Sequence, residues 1–442
     1  MAGGDEEPMN RDAWKTEFEG KRILIWGFGR EGKSSLRWIR SLCPDLPVDI
    51  AEGNVTESLT ESAASFGNTR VLSQEDTDFS AYDMILKSPG IVIPRGMDRS
   101  NITQQTHLFL KHHAFQTVGV TGTKGKSTTT SLVHAVLSAK YHTHLIGNIG
   151  IPCFDILEEL GDEDRCAFEV SCHQLEDCPY SPHIAVYLNL YEEHLDHYES
   201  FQAYGDAKAN VFRHQKQGEP AILGKDLPYV SERPDALLIG RDITAEGSLL
   251  RVKDRILNVP ETRLIGHHNM VNLATAWAIG SACGITDEQF LQAAASFTPL
   301  HHRLEYLGEK DGIRFVNDSI STIGQASIAA VEALPETDVI LIGGMDRGIE
   351  YHELEEYLHA HPQLTAVFMY ATGKRIYEEL KQAGMTHENM HVCEDLAEAV
   401  ECGKKHCRKG HILLLSPAAS SYDHFNNFEE RGEVFRRMVL GS

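Results

Sequence analysis

At 442 residues the chain is too long for one typical domain, and three domains are expected. Hydrophobic residues make up 42% and charged residues 24%, an ordinary globular composition that excludes a disordered chain. With 64 acidic against 41 basic residues the formal charge is −23, which argues against non-specific binding to nucleic acid or anionic membranes, so anionic ligands must be held by local devices.

The opening residues, MAGGDEEPMNRD, have neither a basic region nor an apolar core, and no apolar run approaches the roughly 18 residues of a spanning helix. Nine cysteines are scattered with no C-x-x-C pair, as in a reducing cytosol. A soluble, cytoplasmic protein is expected.

Arg22 to Trp26 reads as a short buried strand running into Gly27-Phe28-Gly29-Arg30-Glu31-Gly32, a G-x-G-x-x-G turn. A helical pattern follows, then Pro47 to Glu52 as a second strand ending in an acidic residue 20 positions after Gly32. That βαβ unit suits a dinucleotide, a mononucleotide, a nucleotide sugar or no ligand at all. Met84 to Pro94 is a strand stopped by Ser88-Pro89-Gly90, and Asn101 to His107, NITQQTH, reads as a linker.

The stretch Thr117 to Thr130, TVGVTGTKGKSTTT, joins a strand to a helix through a glycine-rich turn. Gly119, Gly122 and Gly125 let the backbone approach an anion closely, so that N–H groups and the helix N-terminus point at one cluster of oxygens. Lys126 adds a positive charge, and Ser127 or Thr128 a hydroxyl suited to the Mg²⁺ that accompanies a nucleoside triphosphate. The spacing is G-x-x-G-x-x-G-K-S; the strict phosphate-loop pattern would need glycine where Val120 stands.

Further strands are expected at His144 to Ile146, Ala167 to Val170 and Ile184 to Leu188. Their carboxyl ends carry Asn148, then Glu169, Ser171 and Gln174, then Glu192, Glu193 and His194; in a parallel sheet such ends face a common ligand. Residues 220–263 read as a small β-rich insertion, and a helix opens at Gly266-His267-His268-Asn269. After Pro299 come strands at Ile313 to Val316, Val339 to Ile342, Ala366 to Tyr370 and Ile412 to Leu415, each ending in a polar turn, the pattern of a doubly wound sheet. The expected class is α/β: an N-terminal Rossmann-like domain (1–111), a central phosphate-loop domain on a parallel sheet (112–299) and a C-terminal doubly wound domain (300–442).

With these residues in order, the chain resembles the Mur ligases of peptidoglycan synthesis over nearly its whole length, through GTKGKSTTT, GNIGIP, EVSCHQLE, NLYEEHLDHY, AYGDAKANVF, IGHHNMVNLATA, HHRLE, NDS and SPAASSYDHFNNFEERG. The last segment points to the branch that adds D-glutamate. The resemblance implies a UDP-binding, an ATP-binding and an amino-acid-binding domain, closing on one another, and the reaction of ATP, UDP-MurNAc-L-alanine and D-glutamate to ADP, phosphate and an amide. In such enzymes the substrate carboxylate attacks the γ-phosphate, and the amine then displaces phosphate from the acyl phosphate. Cations must neutralise both anions before they meet.

The resemblance also implies roles. Lys126, His194 and Lys208 fall at catalytic positions. Gly122, Thr123, Lys124, Gly125, Lys126, Ser127 and Thr128, with Asn269, Asn272, Arg303 and Asp318, fall at ATP-contacting ones. Ser127, Glu169, His194 and Lys208 match ligands to two Mg²⁺ ions, Lys208 as a carbamate formed with CO₂. Gly29, Arg30, Glu31, Glu52, Asn148, Ser171 and Gln174 match contacts to the UDP substrate, and Arg347, Ser421, Tyr422 and Phe428 contacts to D-glutamate. A monomer acting on small molecules is implied.

Lys124, Glu193 and Ile320 depart from the family's usual asparagine, aspartate and lysine, and Glu52 lacks the usual basic neighbour. His173, His197, His267 and His301 are read as ordinary surface or core residues. The rival readings are a related ligase with another amino acid, a nicotinamide-dependent oxidoreductase built on Gly27 to Gly32, and a non-catalytic nucleotide-binding regulator.

Overall fold

In the computed structural model the described residues are 11–191, 197–260, 262–264, 266–298 and 301–441. Among them are three sheets. The first is parallel, in the order β3-β2-β1-β4-β5: β1 (Ile23–Trp26), β2 (Val48–Glu52), β3 (Thr69–Ser73), β4 (Met84–Lys87) and β5 (Ile102–Thr103). The second runs β14-β13-β12-β11-β10-β9-β6-β8-β7. Its parallel part is β6 (Thr117–Thr121), β7 (Thr143–Gly147), β8 (Arg165–Glu169), β9 (Ile184–Tyr187), β10 (Ala221–Gly224), β11 (Leu237–Ile239) and β12 (Ile243–Glu246); β13 (Leu249–Val252) and β14 (Arg255–Asn258) fold back antiparallel at its edge. The third runs β15-β16-β20-β17-β18-β19: β15 (Glu305–Lys310), β16 (Ile313–Asn317), β17 (Thr337–Ile342), β18 (Thr365–Phe368), β19 (Met390–Val392) and β20 (Ile412–Leu415). Only β15 is antiparallel there.

The uninterrupted apolar runs of the third sheet follow from cover on both faces. Val316, Ile340, Ile342, Phe368 and Leu414 enter one core cluster, while their chain neighbours Phe315, Val339, Leu341, Val367, Leu413 and Leu415 enter another, the two-residue alternation of a strand.

Three expectations need correction. Residues 101–107 are no linker: they hold β5 and the start of helix Gln105–His113. Gln105 is buried with its Nε2 donating to Ser34 Oγ (3.0 Å) and Ser35 Oγ (3.2 Å) on helix Arg30–Leu42. Residues 220–263 are no separate insertion, since β10 pairs in parallel with β9 and extends the central sheet. Tyr370 opens helix Tyr370–Gln382 instead of ending a strand.

The chain divides into two compact units, Met1–Glu261 with Val271–Ser296, and Thr262–Met270 with Phe297–Ser442. The first two sheets thus share a unit. Helix Arg30–Leu42 is bound there to the central sheet's loops, Arg37 pairing with Asp155 (2.7 Å) and Arg30 Nη2 donating to Gly150 O (2.7 Å). No described helix is long and apolar enough to cross a membrane.

Candidate functional site

The phosphate-type loop leaves β6 and enters helix Lys126–Leu137. Gly122 (φ +153°) and Gly125 (φ +82°), the helix N-cap, take backbone angles that suit glycine. Asn189, just past β9, clamps the loop: its carbonyl accepts from Thr123 N (3.0 Å), its Oδ1 from Lys124 N (2.8 Å), and its Nδ2 donates to Lys124 O (3.0 Å). Lys126 Nζ folds back onto Gly122 O (2.9 Å) and Thr123 O (2.8 Å). Lys208, 1% exposed on helix Phe201–Arg213, donates to the same Gly122 O (2.8 Å) and lies 4.8 Å from the Tyr204 ring centre. Two ammonium groups and a helix N-terminus therefore converge on one turn of an acidic chain, an anion-attracting arrangement. Lys124 extends over the Tyr191 ring at 5.4 Å, and Asn272 Oδ1 stands 3.5 Å from where a Cβ on Gly125 would lie.

Glu169 pairs with Val120 across β6 and β8, which sets its carboxylate beside the loop's entrance. Asn148 holds it, the backbone N donating to Glu169 O (3.0 Å) and Nδ2 to Oε1 (2.9 Å). Oε2 is buried and has no hydrogen-bond partner among the described residues. A buried carboxylate oxygen left over beside a phosphate-type loop fits a hard divalent cation such as Mg²⁺. Gly147 makes this possible: its φ is +99°, and a Cβ there would stand 2.2 Å from Glu169 O. Ser127 is the second residue of helix Lys126–Leu137, with Thr128 buried behind it. His194 and Glu193 lie outside the described residues.

On the first-sheet side, Gly29 caps helix Arg30–Leu42 and Glu31 lies in its first turn. Ser171 and Gln174 form a capping box: Ser171 N and Oγ donate to Gln174 Oε1 (2.9 and 3.1 Å), and Gln174 N donates to Ser171 Oγ (3.2 Å). The S-x-x-Q spacing is itself a helix-start signal in the sequence, beside the substrate contact that the resemblance implies for both residues. Gln174 Nε2 then donates to Glu31 Oε1 (2.8 Å), leaving Glu31 Oε2 buried and unpartnered among the described residues. Burial pushes the Glu31 carboxyl up to about 7, against the pull of Gln174, Lys87 and Arg30; burial likewise brings Lys87 down to about 8. Glu52 Oε1 accepts from Phe28 N and so braces the glycine turn. A cavity of about 290 Å³ brings together Glu31, Gly90, Lys126, Asn148, Gln174 and Lys208. A second, of about 310 Å³ beside Lys310, Lys404 and Lys409, contains none of the expected site residues.

The second unit holds Asn269, Arg303, Asp318, Arg347, Ser421, Tyr422 and Phe428. Asp318 is 3% exposed; its carboxylate accepts from Leu304 N (3.2 Å), Ser321 Oγ and Ser416 Oγ (2.8 Å), and burial raises it to about 6 against these bonds and the nearby Arg303. Arg303 Nε is buried without a partner among the described residues. Ser421 is buried, Tyr422 is 71% exposed, and Phe428 opens helix Phe428–Leu440. Arg347 is exposed, reaching Thr322 O at 3.4 Å. Sequence reading missed Arg431, fully buried and bonded to Ser319 O (2.7 Å), Ser319 Oγ (3.0 Å) and Ala419 O (2.9 Å). It ties the Asn317-Asp318-Ser319 turn to the Ser416–Ser421 loop; only its place in the last resembling segment marked it.

Residues 120–280 match the Mur ligase middle domain, and residues 302–419 match the Mur ligase glutamate ligase domain. The chain is 32% identical to UDP-N-acetylmuramoyl-L-alanine--L-glutamate ligase of Xanthomonas axonopodis pv. citri (strain 306), covering 96% of each chain. It is 30% identical to UDP-N-acetylmuramoylalanine--D-glutamate ligase of Geobacillus kaustophilus (strain HTA426), covering 96% of this chain and 98% of that one. The fold is similar to that of the MurF ligase of Thermotoga maritima in complex with ADP, with a TM-score of 0.61, 16% identity and 97% of each chain covered.

Proposed function

The chain belongs to the Mur ligase family, and we propose that it is the ATP-dependent ligase that adds glutamate to UDP-N-acetylmuramoyl-L-alanine in peptidoglycan precursor synthesis. One observation carries the reading beyond family membership. Lys126 and Lys208 share the Gly122 carbonyl in the cavity that Asn148 and Glu31 also line, and Asn148 holds Glu169 with one buried oxygen to spare.

In this reading ATP is a substrate whose phosphates lie on the Gly122–Thr128 turn, and Lys126 follows the charge of the γ-phosphoryl group. The UDP-sugar substrate enters from Gly29, Arg30, Glu31 and Glu52, and its alanyl carboxylate reaches the phosphate between Asn148 and Lys126. Attack gives an acyl phosphate and ADP; the glutamate amine then adds to the acyl carbon and phosphate leaves. Ser127, Glu169, His194 and a carbamoylated Lys208 would hold two Mg²⁺ ions, which supply charge neutralisation at the transferring phosphoryl group. Asn269, Asn272, Arg303 and Asp318 serve the nucleotide, and Arg347, Ser421, Tyr422 and Phe428 the amino acid. We place the corresponding domains at 1–111, 112–299 and 300–442, in a cytoplasmic monomer serving cell-wall growth, cell shape and division.

D-glutamate is the amino acid this reading favours, from SPAASSYDHF and from relatives named for it at about 30% identity. A second reading, L-glutamate, is favoured by the 32% identical relative named for that enantiomer. Phosphate release from MgATP with UDP-MurNAc-L-alanine, adding D-glutamate, L-glutamate or L-lysine in turn with mass detection of product, tests all of it. Turnover with one glutamate enantiomer fixes the branch. Turnover with lysine alone moves the chain elsewhere in the family, and no turnover refutes the ligase.

A further inference from the structure

At the end of the central sheet away from the phosphate loop, β7 and β8 begin side by side, and three ligand-type side chains meet there. The backbone dictates the meeting. Arg165 N donates to His142 O (3.0 Å), and the register continues with Thr143 opposite Arg165 and His144 opposite Cys166. His142 and His144 are two residues apart and so project to one side of an extended chain, while Asp164 immediately precedes β8.

His142 Nδ1 and His144 Nε2 each lie 2.9 Å from the same Asp164 Oδ2, and the two rings meet edge to face with centroids 4.6 Å apart. Ligand atoms of all three lie within 4.8 Å of one another. Gly161 N donates to Asp164 Oδ2 (3.0 Å) and fixes the carboxylate's direction, as the outer partners of metal ligands do. His144 is buried, Asp164 nearly so and His142 exposed, so the group is closed on the protein side and open to water on the other. His134 is nearby, but its Nε2 is engaged with Thr143 O (3.1 Å).

Two imidazoles and a carboxylate on one face suit a first-row transition ion and not Mg²⁺, which prefers oxygen donors. An ion bonded at about 2.0–2.2 Å to each donor needs them roughly 3–3.5 Å apart. The two histidine nitrogens already stand 2.9 Å from Asp164 Oδ2, and all three donors lie within 4.8 Å, so the imidazoles need shift only slightly to close on an ion. We propose that His142, His144 and Asp164 form a binding site for a divalent transition-metal ion such as Zn²⁺, Ni²⁺ or Co²⁺, separate from the nucleotide centre, with water completing the shell beside His142. The consequence is mechanical. β7 is the edge strand of its sheet, and the same two strands lead to Asn148 and Glu169 at their other ends, so the ion would staple the edge strand whose far end orients the Glu169 carboxylate.

The test is Ni²⁺ binding by equilibrium dialysis, with thermal unfolding alongside, on wild type, His142→Ala, Asp164→Asn and, as a control for the nucleotide centre, Glu169→Gln. Wild type and Glu169→Gln are expected to bind one equivalent more than the other two variants, with a saturable rise in Tm that His142→Ala lacks. His142 is exposed, so its alanine variant should fold with an unchanged metal-free Tm and release phosphate with Mg²⁺ at the wild-type rate. Equal stoichiometry in all four proteins, or loss confined to Glu169→Gln, would overturn the site and reduce the three residues to a hydrogen-bonded cluster. Neither result touches the ligase reading, which rests on turnover.

Discussion

Glu31→Gln should stabilise the protein at alkaline pH and not at acid pH. Burial holds the Glu31 carboxyl at about 7, well above the ordinary glutamate value of about 4.5. A carboxylate raised in this way favours the proton in the fold, so its contribution is intact below pH ~4.5, is lost as pH rises to 7, and stays lost above. About 2.5 units at 1.36 kcal/mol each give a penalty of at most about 3 kcal/mol at pH 8.5. Glutamine keeps an oxygen for Gln174 Nε2, now 2.8 Å from Oε1, but its NH₂ inherits the buried, unpartnered position of Oε2, which costs about 1 kcal/mol. A net gain of about 2 kcal/mol at pH 8.5 corresponds to roughly 3 °C in a unit of this size, at about 2.1 cal/mol/K of unfolding entropy per residue. Thermal unfolding of both proteins at pH 5 and pH 8.5 reads it directly. The reasoning is refuted by a Tm difference that does not change with pH, or by a variant less stable than wild type at pH 8.5.

Gly147→Ala should abolish phosphate release, because its Cβ would stand 2.2 Å from Glu169 O at a φ of +99° and must displace Asn148 or Glu169; near-normal turnover by this variant would contradict that geometry. Arg431→Leu should cost about 3 kcal/mol or more, since Ser319 O and Ala419 O lose their buried donor, and should raise KM for glutamate more than for ATP; equal shifts in both would mean that Arg431 does not organise the amino-acid loop. Lys208→Ala should lower kcat by at least about a hundredfold, a cost typical of losing a transition-state charge contact. Removing dissolved CO₂ should reversibly slow the wild type, and full activity in CO₂-free buffer would exclude the carbamate.

The parts of the site legible in the sequence are those that backbone chemistry dictates. Glycines at 122 and 125 have positive φ in the structure, and the apolar runs of β6, β8 and β9 stop where the polar residues of the candidate site begin. What sequence hid depends on distant partners. Gln105 looks like a linker residue because nothing local announces Ser34 and Ser35 as its hydrogen-bond partners 70 or so positions away. β10 to β12 look like an insertion because short strands carry no mark of the neighbour they pair with. Arg431 has no local mark in the sequence of the four carbonyl and hydroxyl oxygens that surround its guanidinium.

Glu31 and Glu169 pose the same electrostatic problem and should answer the same substitution in opposite ways. Each carboxylate has one oxygen held by a side-chain amide, Gln174 for Glu31 and Asn148 for Glu169, and each has a buried Oε2 without a partner among the described residues. Such an oxygen is satisfied by a proton or by a cation. Glu31 sits in a helix's first turn on the first-sheet side, and its raised carboxyl takes the proton near neutrality. Glu169 sits across from Val120 beside the phosphate-type loop, where the proposed function would bring a nucleotide and its Mg²⁺. Glu31→Gln should therefore keep Mg²⁺-dependent nucleotide binding within a fewfold of wild type, while Glu169→Gln should lose the Mg²⁺ dependence and at least about a hundredfold in kcat. Titration of ATP binding with and without Mg²⁺ in the two variants separates the roles. A Glu169→Gln protein whose ATP affinity still rises with Mg²⁺ would remove Glu169 from the metal set.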